Sequence, residues 1–237
     1  NGQVIQSNLV GDYNFENAIG KRIINTKQAL SEYALFGYLI YNASSKVSLQ
    51  PGFRFSYYSI GQKVPVPAFN IKWTPTNALN IRGSYSKGFR APTLKELYFQ
   101  FVDVNHNINP NDSLKPESGH NYDLSVSINT DKRSKIHFTN VELSIFYKQL
   151  KDHIYLAQRL ITTPQGTFSE YNYINISYFN TLGGQLAFKY SFYPNFDFGL
   201  GYGITGVFAS LYNQNGDLKK YKFNTDASLN ASYNFQT

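Results

Sequence analysis

From Val47 to Tyr58 apolar and polar side chains alternate without a break. Val47, Leu49, Pro51, Phe53, Phe55 and Tyr57 fall on one side, and Ser48, Gln50, Gly52, Arg54 and Ser56 on the other. A period of two is the signature of a β-strand with one apolar and one polar face. The same rhythm returns at Phe69–Trp73, Leu79–Tyr85, Tyr122–Ile128, Val141–Tyr147, Leu182–Phe192, Phe196–Ile204 and Ala227–Phe235. With a strand opening at Ser31, the pattern predicts about nine antiparallel strands. Residues 1–30 are mostly polar and read as the end of a preceding connection, with a short strand remnant at Asp12–Phe15.

A soluble β-sandwich shows the same alternation, so periodicity alone does not fix the surroundings of the apolar face. Two further features do. The predicted strands run roughly ten to fourteen residues, against about five or six in globular sheets and about nine to eleven in membrane barrels. The connections also alternate in length. Short ones fall at Asn42–Lys46, Pro75–Ala78, Thr130–Lys135 and Tyr193–Asn195, and longer ones at Ser59–Pro65, Lys87–Gly119, Lys151–Asn175 and Tyr212–Lys220. Short turns on one rim and long loops on the other are the arrangement of a transmembrane β-barrel. The predicted fold class is therefore all-β, an antiparallel transmembrane barrel segment. An odd number of strands does not close a bacterial single-chain barrel, so the chain reads as part of a larger one.

Composition sharpens this picture in four places. The 237 residues are 42% hydrophobic, with no run long enough for a membrane helix, which leaves a barrel open because its lipid face uses every second residue. Twenty Tyr and nineteen Phe suit strands and interfacial aromatic belts. Cysteine is absent, so no disulfide or thiolate metal site can form. The net charge of +7 is spread over strands and loops without a basic helix or stripe, which argues against nucleic acid as a partner. Cations on a barrel lumen attract anionic solutes instead.

The stretch from Gly88 to Glu117 breaks the alternation for about thirty residues, far beyond an ordinary hairpin connection. It carries Phe89, Tyr98, Phe99, Phe101 and His106, with Tyr85 and His120 at its feet. Thr93-Leu-Lys-Glu96 after Ala91-Pro92 fits a capping box and predicts one short helical turn. GFRAPTLKELY followed by NPNDSLKPE resembles the paired boxes of TonB-dependent outer-membrane receptors. Phe89-Arg-Ala-Pro92 matches the first box, and His106 lies between the boxes. The second box departs from the pattern, with Asn-Asp-Ser between Asn109-Pro110 and Leu114-Lys-Pro-Glu117.

The resemblance implies a 22-stranded barrel closed by a plug, of which residues 1–237 form barrel wall only. It implies an importer in the outer membrane of a Gram-negative bacterium that takes up a scarce metal chelate, haem before ferric siderophore or cobalamin. Haem or another iron or cobalt chelate is then transported cargo, with no permanent cofactor. The implied partners are outer-membrane lipid, the TonB complex acting through the plug, and a surface lipoprotein in some relatives. His106 is the candidate ligand of haem iron, since neutral imidazole binds it well. His153 on the same rim is a second candidate contact, and Tyr98, Tyr171 and Arg90 are candidate ligand-binding side chains. For Arg90, as for Arg54, Lys72, Arg82 and Lys189, pairing with nearby carboxylates is the competing role. His137, near a short turn, is expected to be structural.

Gly199-Leu-Gly201-Tyr-Gly203 lies inside an alternating strand with no helix after it, so it is not a nucleotide loop; its glycines let backbone or plug approach the wall. No Gly-x-Ser-x-Gly or His-Glu-x-x-His motif supports an enzyme. The competing functional classes are a passive porin or adhesin barrel and a soluble β-sandwich binding module.

Overall fold

The computed structural model describes residues 2–11, 28–59, 63–102, 107–130, 137–164, 166–192, 195–209 and 221–235. They form β1 (Gly2–Gly11), β2 (Gln28–Tyr38), β3 (Tyr41–Asn42), β4 (Val47–Tyr58), β5 (Lys63–Trp73), β6 (Leu79–Arg90), α1 (Leu94–Tyr98), β7 (Phe101–Val102), β8 (Asn107–Asn109), β9 (Glu117–Asn129), β10 (His137–Thr163), β11 (Gly166–Phe192), β12 (Phe196–Ala209) and β13 (Lys222–Tyr233). One sheet contains all the strands. Its main path is β1-β2-β4-β5-β6-β9-β10-β11-β12-β13, each strand antiparallel to the next, with β3, β7 and β8 attached to the side.

Which face is apolar follows from register. Partners across a ladder share a face, so Leu143 lies beside Leu186 and Val126, and Leu200 beside Phe188 and Leu229. These side chains are not packed inside anything: Leu143 is 51% exposed, Leu186 47%, Leu200 49% and Leu229 71%. The opposite, concave face is polar. It lines a recess of about 850 Å³ with Ser48, Gln50, Asn70, Lys72, Arg82 and Asp123 among others. The described buried apolar residues gather elsewhere, chiefly beneath α1. An apolar convex face beside a polar concave one is what a strand needs when its outer solvent is hydrocarbon.

Two aromatic rows frame this band. Along the short-turn rim, register aligns His137, Phe192, Phe196 and Tyr233, and His137 Nδ1 pairs with the Tyr190 hydroxyl at 2.7 Å. Toward the other rim, Tyr85, Tyr122 and Tyr147 share one level. On β10 the rows are ten residues apart, 137 to 147. At about 3.4 Å per residue and a tilt near 40° that is roughly 26 Å, the height of an outer-membrane hydrocarbon band.

Four sequence expectations need correction. The path holds ten strands where about nine were expected. The added strand is β1, where residues 1–30 had read as irregular. Its polar sequence is held by a continuous ladder with β2, from Gly2 opposite Gly37 to Gly11 opposite Gln28. The expected long loop Lys151–Asn175 is instead a continuation of β10 and β11, joined only at residues 164 and 165. Beyond the last pairings of β10 with β9 at Lys151 and of β12 with β11 at Phe179, eleven further pairs run from His153–Ile176 to Thr163–Gly166. This two-stranded extension, a ribbon, rises about 35 Å at ~3.4 Å per residue. Finally, the space over Gly199, Gly201 and Gly203 is taken by the β13 side chains Asn230, Ser228 and Asp226, which a Cβ on these glycines would strike. The expected remnant at Asp12–Phe15 and the whole of the loop Tyr212–Lys220 lie outside the described residues.

Adjacent residues on opposite faces should respond oppositely to charge. Leu143→Arg should destabilise the barrel in lipid vesicles by about 2–4 kcal/mol, whereas Ser144→Arg should change it by less than about 1 kcal/mol. Equilibrium unfolding of the two variants in the same vesicles checks this.

Candidate functional site

The long connection between β6 and β9 folds back over the sheet instead of projecting as free loop. Thr93 caps α1 through both bonds of the capping box: its hydroxyl accepts from the Glu96 N–H, and its own N–H donates to the Glu96 carboxylate at 2.7 Å. The single turn points two leucines in different directions. Leu94 packs with Leu30, Tyr58, Val64 and Ala91, while Leu97 packs with Leu114 and Ile154. Tyr98 touches both clusters. Pro92 is fully buried. The turn therefore bridges the β2–β4–β5 side of the sheet to the β10 side.

An ionic clasp holds this bridge. Arg90, the last residue of β6, donates through Nε and Nη2 to the two oxygens of Glu117, the first residue of β9, at 2.9 and 2.7 Å. Its Nη1 donates to both oxygens of Glu96 at 3.0 Å. The fork of a guanidinium suits this bidentate contact as no ammonium would. Glu117 Oε1 also accepts from the Ile154 N–H at 2.7 Å and pairs with His153 Nδ1 at 3.0 Å. One carboxylate thus joins β6, β9 and the base of the ribbon.

The clasp lies five residues beyond Tyr85 and Tyr122 (90 − 85; 122 − 117), outside the membrane band. Burial works to raise the Glu117 carboxyl, but the Arg90 hydrogen bonds, the Ile154 N–H and the charges of Arg90 and His153 outweigh it and hold it below its ordinary value.

The second box is fastened to the ribbon at successive points. Asn109 Nδ2 donates to Glu170 at 3.1 Å, and Asn111 Nδ2 to the Tyr173 carbonyl at 2.9 Å. Asn175 mimics a strand partner: its Oδ1 accepts from the Lys115 N–H, and its Nδ2 donates to the Lys115 carbonyl. The same Nδ2 donates to the carbonyl of Asp152, the one non-glycine among the described residues with positive φ, at 54°. Strand β7 pairs with β8, and β8 runs parallel to β11 at Ile108–Tyr171. His106 lies outside the described residues; in sequence it is the residue before β8.

The structure brings Arg90 and His153 together on Glu117 and sets Tyr98 between the adjoining clusters. Tyr171 stands apart, five positions further out on β11 than Ile176, the partner of His153. Among the described residues no group of three or more His, Cys, Asp or Glu is placed to hold a metal ion. Sequence reasoning missed Glu96 and Glu117 as the partners of Arg90, although opposite charges in the two boxes signalled them. It also missed Asn109, Asn111 and Asn175, which no spacing marks.

The family model described as TonB dependent receptor-like, beta-barrel, matches residues 3–237. The chain belongs to the TonB-dependent receptors. That family consists of outer-membrane receptors and transporters, not enzymes. The chain is 34% identical over 108 residues to a probable hemoglobin and hemoglobin-haptoglobin-binding protein 4 of Haemophilus influenzae, a match covering 43% of this chain and 10% of that protein. It is 25% identical over 164 residues to a heme/hemopexin utilization protein C of the same species, covering 61% and 23%. The chain thus spans a small part of the curated relatives it matches.

Among solved structures, the siderophore receptor PirA from Pseudomonas aeruginosa superposes with a TM-score of 0.64 at 15% identity, over 90% of this chain and 44% of that one. The Serratia marcescens hemophore receptor HasR, solved as a double mutant with its hemophore HasA and heme, gives 0.64 at 17% identity, over 75% and 34%. At such identities these TonB-dependent receptors share the fold.

In the full-length receptor, Glu117→Ala should expose the Gly88–Glu117 segment to limited proteolysis. It strands Arg90, His153 and the Ile154 N–H at a cost of about 2–3 kcal/mol, below that of a fully buried pair because Arg90 is 40% exposed. The wild-type segment should become cleavable by an acid-active protease in a matching way at low pH. A carboxyl whose folded value is lowered stabilises fully above its unfolded value, about 4.3, and that contribution is lost as pH falls through the folded value.

Proposed function

We propose that this chain forms part of the wall and outer rim of a receptor that captures haem outside the cell and imports it with energy from TonB. The observation that carries the reading is the clasp. Both boxes are spent on fastening the described residues on either side of His106, to each other and to the ribbon. A rigid support on both sides is what a ligating side chain requires, because catch and release depend on geometry set before the cargo arrives. The relatives named for hemoglobin and heme/hemopexin favour haem over siderophore or cobalamin.

On this reading His106 supplies an imidazole nitrogen to haem iron. Tyr171 and Tyr98 offer aromatic surface to the porphyrin on the same rim. Arg90 and His153 serve the site through Glu117, by fixing the loop that presents it. The polar concave wall, with Lys72 directly opposite Arg82, draws the propionates inward. Partners on this reading are outer-membrane lipid, the TonB complex reached through a plug, and a protein that delivers haem.

Adding hemin to the full-length receptor should shift the Soret band. His106→Ala should weaken binding at least about tenfold and slow growth on hemin as sole iron source. Unchanged binding and growth in this variant would remove His106 from the site. No Soret shift in the wild-type receptor would overturn haem as the cargo.

A further inference from the structure

The convex face has a sharp chemical boundary on three adjacent strands. Tyr85 lies opposite Tyr122, and Tyr122 opposite Tyr147, so the three share one level and one face. Their ring centroids are 5.2 and 6.3 Å apart. One period toward the short-turn rim, the same face carries Gly83, Leu124 and Ile145, and one period beyond that Ile81, Val126 and Leu143. One period toward the long-loop rim it carries Lys87, His120 and Gln149, mutually opposite on β6, β9 and β10. Lys151 follows on β10, exposed, with its ammonium 6.0 Å from the Tyr178 ring. The tyrosines thus mark the hydrocarbon limit, and the ledge above them sits at headgroup height.

The ledge is built from donors. His120 is braced by the Tyr85 hydroxyl, 3.0 Å from its Nδ1, and its ring stacks near Tyr85 and Tyr122 at 6.0 and 6.5 Å. With the hydroxyl donating, the neutral ring carries its proton on Nε2, which has no partner among the described residues. No carboxylate is paired with Lys87 or Lys151 among the described residues. Above the tyrosines the convex face of β5, β6, β9 and β10 carries Lys63, Lys87, His120 and Lys151. Asp123, Glu142, Asp197 and Asp226 take the concave phase of the alternation, Asp152 follows Lys151 at the positive-φ position, and Glu170 lies far out on the ribbon, held by Asn109.

We propose that Lys87, His120 and Gln149, with Lys151 above them, bind the phosphate of an outer-leaflet lipid headgroup. Clustered donors, with two ammonium groups that no described carboxylate pairs, fit a phosphate. The apolar band directly below fits the acyl chains of the same molecule, which a soluble anion would leave uncovered. The site also touches the clasp: Lys87 is three residues before Arg90 on β6, and His120 three after Glu117 on β9. A bound lipid therefore braces the two strands that carry the box residues.

The test is native mass spectrometry of the detergent-solubilised full-length receptor with synthetic lipid A bearing both phosphates, with the dephosphorylated lipid, and with inorganic phosphate. Phosphorylated lipid A should bind at least about tenfold tighter than its dephosphorylated form. Lys87→Gln with Lys151→Gln should erase that preference while leaving the dephosphorylated lipid unaffected. Lys87→Arg should retain it, and Lys72→Gln on the concave face should not alter it. Equal binding of the two lipids, an undiminished preference in the double variant, or displacement of the lipid by millimolar inorganic phosphate would overturn the proposal.

Discussion

A strand that crosses hydrocarbon has no water to satisfy its N–H and C=O groups, so each must find a neighbouring strand. The ten-strand path meets that demand through continuous antiparallel ladders, and everything else in the molecule is fitted to it. Because the side-chain period is two, the ladders fix at one stroke which residues meet lipid and which meet the lumen. Leucines stand half exposed on the convex side because the membrane, not a protein interior, is their solvent. A slip of β5 by one residue against its neighbours would turn Lys72 toward lipid and Ile71 toward water, and the same slip of β6 would turn Arg82 and Ile81.

Above the membrane the demands change, and so does the means of stabilisation. There the chain has water on its outer side and builds a small protein-like core beneath α1. The core is thin, so charge and amide contacts supplement it: Arg90 against two carboxylates, Asn109 and Asn111 of the box against the ribbon, and Asn175 of the ribbon against the box. Glu117 is the meeting point. It ends the connection, begins β9, and holds the base of a ribbon that runs on beyond β9 and β12. The connection is long because it must reach across the sheet, and its first turn is tied back to its last residue through Arg90 and Glu117.

Alternation made most of the transmembrane strands legible, because lipid and lumen impose opposite chemistry on neighbouring residues. The capping box Thr93–Glu96 was legible for the same reason of direct local cause. Legibility failed where a partner strand supplies the order. The polar stretch of β1 has little apolar rhythm of its own, and the ribbon above Lys151 is covered in part by the box residues and α1, so neither carries the two-fold signal of lipid against lumen. At the site, the sequence marked the boxes but not their logic. That Arg90 is answered by Glu117, twenty-seven residues away, appears only once β6 and β9 are seen to be neighbours. Asn175 gave no sign at all, since an asparagine standing in for a strand partner looks like any loop asparagine.

The chain itself contains no cysteine, so single cysteines placed along one of its strands, with any cysteine elsewhere in the receptor replaced, give one label at a time. Spin labels at successive positions from Gln185 to Lys189 of the full-length receptor, reconstituted in lipid vesicles, report collision with membrane-dissolved oxygen. High collision rates at Leu186 and Phe188, and low rates at Gln185, Ala187 and Lys189, are the expected result. A flat profile, or one with the opposite phase, would contradict the lipid-facing convex wall on which the account stands.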